Sequence, residues 1–79
     1  MWYIYILKSQ QDHNLYIGST NDLHRRLHEH NSGHVMATQS RLPFTLESYI
    51  AVRSDKKAEE LEVYLKSGSG HAILKKRIL

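Results

Sequence analysis

Residues 16–30 read YIGSTNDLHRRLHEH, and this stretch decides how the rest of the chain is read. Tyr16 to Gly18 is the end of a strand, Gly18 marks a turn where a side chain would crowd the backbone, and a short helix follows. Asn21 is the expected N-cap, with Asp22 placing negative charge in the first turn, where the helix dipole favours it. Leu23 and Leu27 are four apart and share a face. With side chains rotating by about 100° per residue, Arg26 and His30 fall together on one flank of the leucine seam, and Arg25 points away. The helix therefore presents an arginine and a histidine at the margin of the core, beside the strand that carries Tyr16.

Upstream, residues 2–8 (WYIYILK) are aromatic and β-branched, a strand signature. Tyr3 and Tyr5 share one face of it, since side chains alternate along a strand. The polar segment 9–14 makes a loop, and Leu15 to Gly18 pairs back as a second strand. Downstream, the first helix covers about 21–31 and stops at Asn31, Ser32 and Gly33, residues suited to a left-handed C-terminal position. Residues 34–41 (HVMATQSR) read equally as a helical turn or a loop, ended by Pro43. Phe44 to Val52 is a third strand. Ser54 caps a helix over 55–66, in which Ala58, Leu61, Glu62 and Leu65 follow the spacing of one buried stripe. Glu62 thus sits at the margin of the buried face, with Glu60 nearly opposite and Glu59 to the side. Within SGSG (67–70), Gly68 stops that helix and Ser69 caps a last short one. That helix carries Ile73, Leu74 and Ile78 inward and Lys75, Lys76 and Arg77 outward.

The chain of 79 residues suits one small domain, 1–79. It has no cysteine, so disulfides and thiolate metal sites are excluded. No apolar run is long enough to cross a bilayer as a helix, and no signal peptide is visible. A soluble, cytoplasmic protein is expected. The net charge of +3 favours an anionic partner such as nucleic acid, though mildly.

The tripeptides Tyr3-Ile4-Tyr5 and Tyr16-Ile17-Gly18, followed by Arg26, His30 and the helical Glu62, resemble the signature of the GIY-YIG endonuclease family. YIY stands here in place of GIY. The likeness spans nearly the whole chain and is closest to small single-domain members, related to the nuclease half of the bacterial excision-repair excinuclease. It implies an α/β (α+β) fold, a small and mainly antiparallel three-stranded sheet flanked by three or more helices. It also implies a metal-dependent endonuclease acting on DNA, with a role in DNA repair and a partner protein for targeting. A monomer is expected.

The chemistry fits the residue types. A phosphodiester under attack needs positive charge on its oxygens, and Arg26 supplies a permanent, forked guanidinium. Glu62 suits Mg²⁺ or Mn²⁺, since Mg²⁺ often takes one or two carboxylates and fills its shell with water and phosphate. The resemblance places Tyr5 and Tyr16 in the active site, one as general base, with Tyr5 preferred, and His30 takes or shares that role. Tyr3, Gly18, Ser19 and Arg25 are the expected substrate contacts. Two features depart from the family pattern: Tyr3 replaces the first glycine, and no asparagine follows Asn31, leaving Ser67 or Ser69 for the family's late asparagine. Taken singly, each tyrosine also reads as strand packing, His30 as a packed helix-edge histidine, and Glu62 as a boundary carboxylate paired with a lysine. A DNA-binding module with the same fold and little cleavage is therefore the alternative function, and an RNA-directed nuclease a weaker third. His24 and His28 have zinc-ligand spacing, but Arg25 and Arg26 between them oppose a metal.

Overall fold

The computed structural model describes the backbone of residues 1–78 and the side chains of residues 1–76. Strand β1 (Trp2–Ser9) lies in the middle of a three-stranded sheet of order β2-β1-β3, with β2 (Leu15–Thr20) and β3 (Phe44–Val52) both antiparallel to it. Helix α1 (Leu23–Asn31) connects toward β3; α2 (Asp55–Lys66) and α3 (Gly68–Ile73) follow, and a π-helical turn runs over Leu74–Ile78. The expected fold class is the observed one.

Both faces of β1 are covered, which is why its sequence is a continuous apolar run rather than an alternating one. Ile4 and Ile6 pack with Ile17 of β2, under Ala58 and Leu65 of α2 and Leu74. Tyr5 and Leu7 face the other way, with Phe44, under Leu23 and Leu27 of α1. The leucine seam of α1 thus packs against this cluster, partly buried, on the face its spacing requires. A register shift between Ile6 and Leu7 marks a bulge in the pairing with β3.

Several expectations at element ends need correction. Gly18 is not a turn residue: β2 continues through it to Thr20, and it pairs directly with Tyr5. The N-cap of α1 is Asp22, not Asn21, so the Asp22 carboxylate is the cap itself and no acid occupies the first turn. The Thr20 hydroxyl accepts the Asp22 amide at 3.1 Å, and the Asp22 carboxylate accepts the Arg25 amide at 3.0 Å. Asn21, displaced from that role, accepts from the Arg25 side chain instead. At the other end Ser32 closes the helix and Gly33 takes φ +77°, the left-handed turn expected of it. Ser67, not Ser69, caps α3, and it also terminates α2, so the glycine-serine stretch contains no linker. Leu74 is buried as expected, but Ile73 is 43% exposed. The Arg77 and Ile78 side chains lie outside those described.

The segment between α1 and β3 is a series of turns, tied down at both ends. Asn31 clasps the backbone of Phe44: its side-chain amide donates to the Phe44 carbonyl at 3.0 Å and its carbonyl accepts the Phe44 amide at 2.8 Å. Arg41 forks onto Asp12 of the β1–β2 loop at 2.7 and 3.2 Å, and its own carbonyl accepts the buried Ser9 hydroxyl at 2.7 Å. Asn31→Ala strips a partner from both the amide and the carbonyl of Phe44, and an unmade bond there costs on the order of 1–3 kcal/mol. Urea unfolding should show a loss of about 2 kcal/mol for Asn31→Ala and under about 0.5 for Asn21→Ala, which loses only an exposed contact.

Candidate active site

The site assembles where β1, β2 and α1 meet. Tyr5 comes from the central strand and its ring lies over Gly18 of β2. A Cβ at Gly18 would run into the phenol oxygen and the ring carbon bearing it, so the glycine is there to let the tyrosine lie flat. The hydroxyl then reaches α1. It is 2.9 Å from His30 Nε2, and Arg26 Nε donates to it at 3.4 Å. Tyr16 packs edge-on against His30 at 5.1 Å between ring centroids and lies 6.5 Å from the Tyr5 ring. Tyr5, Tyr16, Arg26 and His30 are thus brought together, as the helix register requires.

The electrostatics of this group are unusual. Burial pushes the Tyr5 phenol above its ordinary value of 10.0; Arg26 opposes this, while the charges of Tyr16 and Glu62 add to it. His30 is fully buried, and that burial, with Arg26 beside it, pushes its pKa down to about 4, against a smaller opposing pull from Glu29. The imidazole is therefore neutral at physiological pH. Arg26 is held in turn by Glu29, with Nη1 at 3.1 Å from the carboxylate.

Glu62 approaches from α2, on the opposite side of the sheet, near enough for its charge to reach the Tyr5 phenol. Its side chain is 22% exposed and accepts from Lys66 Nζ at 2.7 Å. The boundary pairing with a lysine is thus present alongside proximity to the site. Among the described residues no group of three His, Cys, Asp or Glu could enclose a metal, and that includes His24 and His28. Glu62 fits Mg²⁺ only as a single protein ligand.

The remaining expected contacts are more scattered. Arg25 is exposed and points away from the leucine seam, engaged with Asn21 and Glu29. Ser19 pairs with Ile4 in register, so it belongs to the opposite face of the sheet from Tyr5. Tyr3 shares the Tyr5 face but packs edge-on against Tyr49 at 5.8 Å, beside a cleft lined by Asn21, Asp22 and His24. Ser67 spends its hydroxyl on capping. Two residues join the site without having been expected there. Glu29 has a readable signal, because it stands three and four places after the arginines it pairs with. Thr38 has none, because nothing in residues 34–41 shows that its hydroxyl meets His30 Nδ1 at 2.7 Å.

Comparison with known proteins supports one family. The sequence matches the GIY-YIG catalytic domain over residues 1–76. It is similar to a UPF0213 protein of Clostridium perfringens, 37% identical over 67 residues, covering 84% of this chain and 71% of that one. The fold is similar to the solution NMR structure of a UPF0213 protein from Bacillus halodurans, with a TM-score of 0.57 and 34% identity, over 95% of this chain and 83% of the other.

The buried His30 also sets a pH dependence. Its folded pKa, about 4, lies below the ordinary 6.5, so between those values the unfolded chain binds more protons than the folded one. Its contribution is full above pH 6.5 and is lost as pH falls through 4. The shift corresponds to roughly 3 kcal/mol. Asp12, held down to about 2 chiefly by its hydrogen bond from Arg41, acts in a lower window, below its ordinary 3.8. Chemical unfolding at a series of pH values should therefore show stability falling from pH 6.5 to 4 in wild type, with that portion flattened in His30→Gln.

Proposed function

Because the chain belongs to the GIY-YIG family of nucleases, we propose that it is a metal-dependent endonuclease that hydrolyses phosphodiester bonds in DNA. The observation that carries this reading is a tyrosine hydroxyl within hydrogen-bonding distance of both an arginine and a neutral histidine. In water attack on phosphorus, a P–O bond forms, the bond to the leaving oxygen breaks, and the water must lose a proton. An isolated phenol raised above its usual pKa is a poor base. The Tyr5 oxygen nevertheless accepts a proton from water if it passes its own to His30 Nε2, and a neutral imidazole is available to receive it. Tyr16 is the second tyrosine able to serve as base. Arg26, a permanent cation with its guanidinium partly in solvent, stabilises the charge that builds on the phosphate oxygens. Glu62 would hold Mg²⁺ or Mn²⁺, which supplies Lewis-acid help to the phosphate and the departing oxygen when bound.

A second reading, a DNA-binding module that cuts little, also has an observation behind it. The Glu62 carboxylate already holds a cation, the ammonium of Lys66, which competes with a metal for it. Cleavage of supercoiled, single-stranded and branched DNA with Mg²⁺ or Mn²⁺ separates the two. Glu62→Gln should abolish cutting while leaving DNA binding equal or tighter, since a negative charge near the phosphate is gone; Glu60→Gln should change neither. Arg26→Ala should likewise abolish cleavage, and Arg25→Ala should weaken binding slightly. Affinity should fall steeply as salt rises, as phosphate contacts demand. No cutting of any DNA form by wild type with either metal would leave the module reading standing.

A further inference from the structure

His30 has two ring nitrogens and each meets a hydroxyl: Nε2 that of Tyr5 at 2.9 Å and Nδ1 that of Thr38 at 2.7 Å. Both His30 and Thr38 are 0% exposed, so water supplies no alternative partner. The ring carries one proton when neutral, and the hydrogen-bond inventory decides where it sits. Arg26 is only a donor, and it donates to the Tyr5 oxygen. If Nε2 also donated there, Tyr5 would receive two protons and its own would have no acceptor. If instead Nδ1 carries the proton, every group is satisfied. Nδ1–H donates to Thr38 Oγ1, the Thr38 hydroxyl donates to the Val35 carbonyl at 3.4 Å, and Nε2 is left as a lone pair facing the Tyr5 hydroxyl. No buried side-chain polar atom among the described residues lacks a partner, in keeping with this arrangement.

We propose that Thr38 is a positioning residue that fixes His30 in its Nδ1–H tautomer and so makes Nε2 the acceptor for the Tyr5 proton. The segment around it is built to hold that hydroxyl still. The Thr38 amide donates to the same Val35 carbonyl at 3.0 Å, and Arg41, three residues on, is fastened to Asp12 and Ser9. Substitution at Thr38 therefore acts through His30 and not through substrate. A threonine that merely fills the core would behave otherwise, because valine fills the same volume.

The inference rests on the Tyr5–His30 pair of the proposed nuclease, but its main test needs no cleavage. Nitrogen NMR of histidine-labelled wild-type protein at neutral pH should show His30 with Nδ1 protonated and Nε2 bare; a protonated Nε2 overturns the proposal. In Thr38→Val the buried Nδ1–H loses its acceptor, and the ring should shift to the other tautomer or a mixture. Thr38→Ser keeps the hydroxyl and should keep the wild-type pattern. Where the protein cuts DNA, Thr38→Val should be slower by about ten- to a hundred-fold, the scale found when the partner that orients a metal-bound histidine is lost, and Thr38→Ser should recover most of the rate. A Thr38→Val protein that folds, retains the Nδ1–H tautomer and cuts at the wild-type rate refutes the proposal. A wild type that never cuts but shows the Nδ1–H form overturns the nuclease reading alone.

Discussion

The absence of one carbon atom, the Cβ at position 18, lets the rest of the site exist. Tyr5 and Gly18 are direct partners across the β1–β2 ladder. With hydrogen in place of a side chain, the tyrosine ring falls sideways over β2 instead of standing upright into the leucine seam of α1. Its hydroxyl is carried toward the helix, where it meets His30 and Arg26. Those residues are one turn apart and reach it together. Sheet and helix are thereby joined by a polar bridge within an apolar layer, and a bridge of that kind is stable only when each of its members is satisfied.

That bridge orders the charges around it. Burial and the nearby guanidinium keep His30 neutral, and burial outweighs the guanidinium in keeping the Tyr5 phenol protonated. Glu29 restrains Arg26 from the solvent side. The result is a chain of proton donors and acceptors running from Arg26 through Tyr5 and His30 to Thr38 and the Val35 carbonyl, with its charged end at the surface and its neutral end inside. Glu62 stands apart from this chain, on a helix across the sheet, and is paired with its own lysine.

The sequence is most legible where periodicity speaks. The leucines of α1 set the rotation of Arg25, Arg26 and His30, and the stripe on α2 places Glu62 at its boundary. It is less legible where neighbouring residues compete for one role. Asn21 and Asp22 are both good caps, and Thr20, by taking the Asp22 amide, settles which of them serves. Ser67 and Ser69 compete in the same way, and Ser67 serves two helices because no residue separates them from its cap. Gly18 is a third kind of ambiguity: crowding explains the glycine, but a ring lying across a strand crowds a backbone as effectively as a turn does. Thr38 is beyond reach, since its partner is fixed by long-range ties from Arg41 and Asn31 that no local pattern records.

The order of the strands has a further consequence, for the chain as it is made. β1 is first in sequence yet central in the sheet, and its Ser9 end waits for Phe44 to pair. The β1–β2 hairpin forms from local contacts and is available early, whereas β3 closes the sheet only after a long intervening stretch, the slower kind of step. In that interval an apolar strand that is buried on both faces in the finished protein stands with one edge unpaired and neither face fully covered. Until β3 pairs, the edge of β1 that Phe44 to Val52 later covers is therefore the most adhesive part of the folding chain.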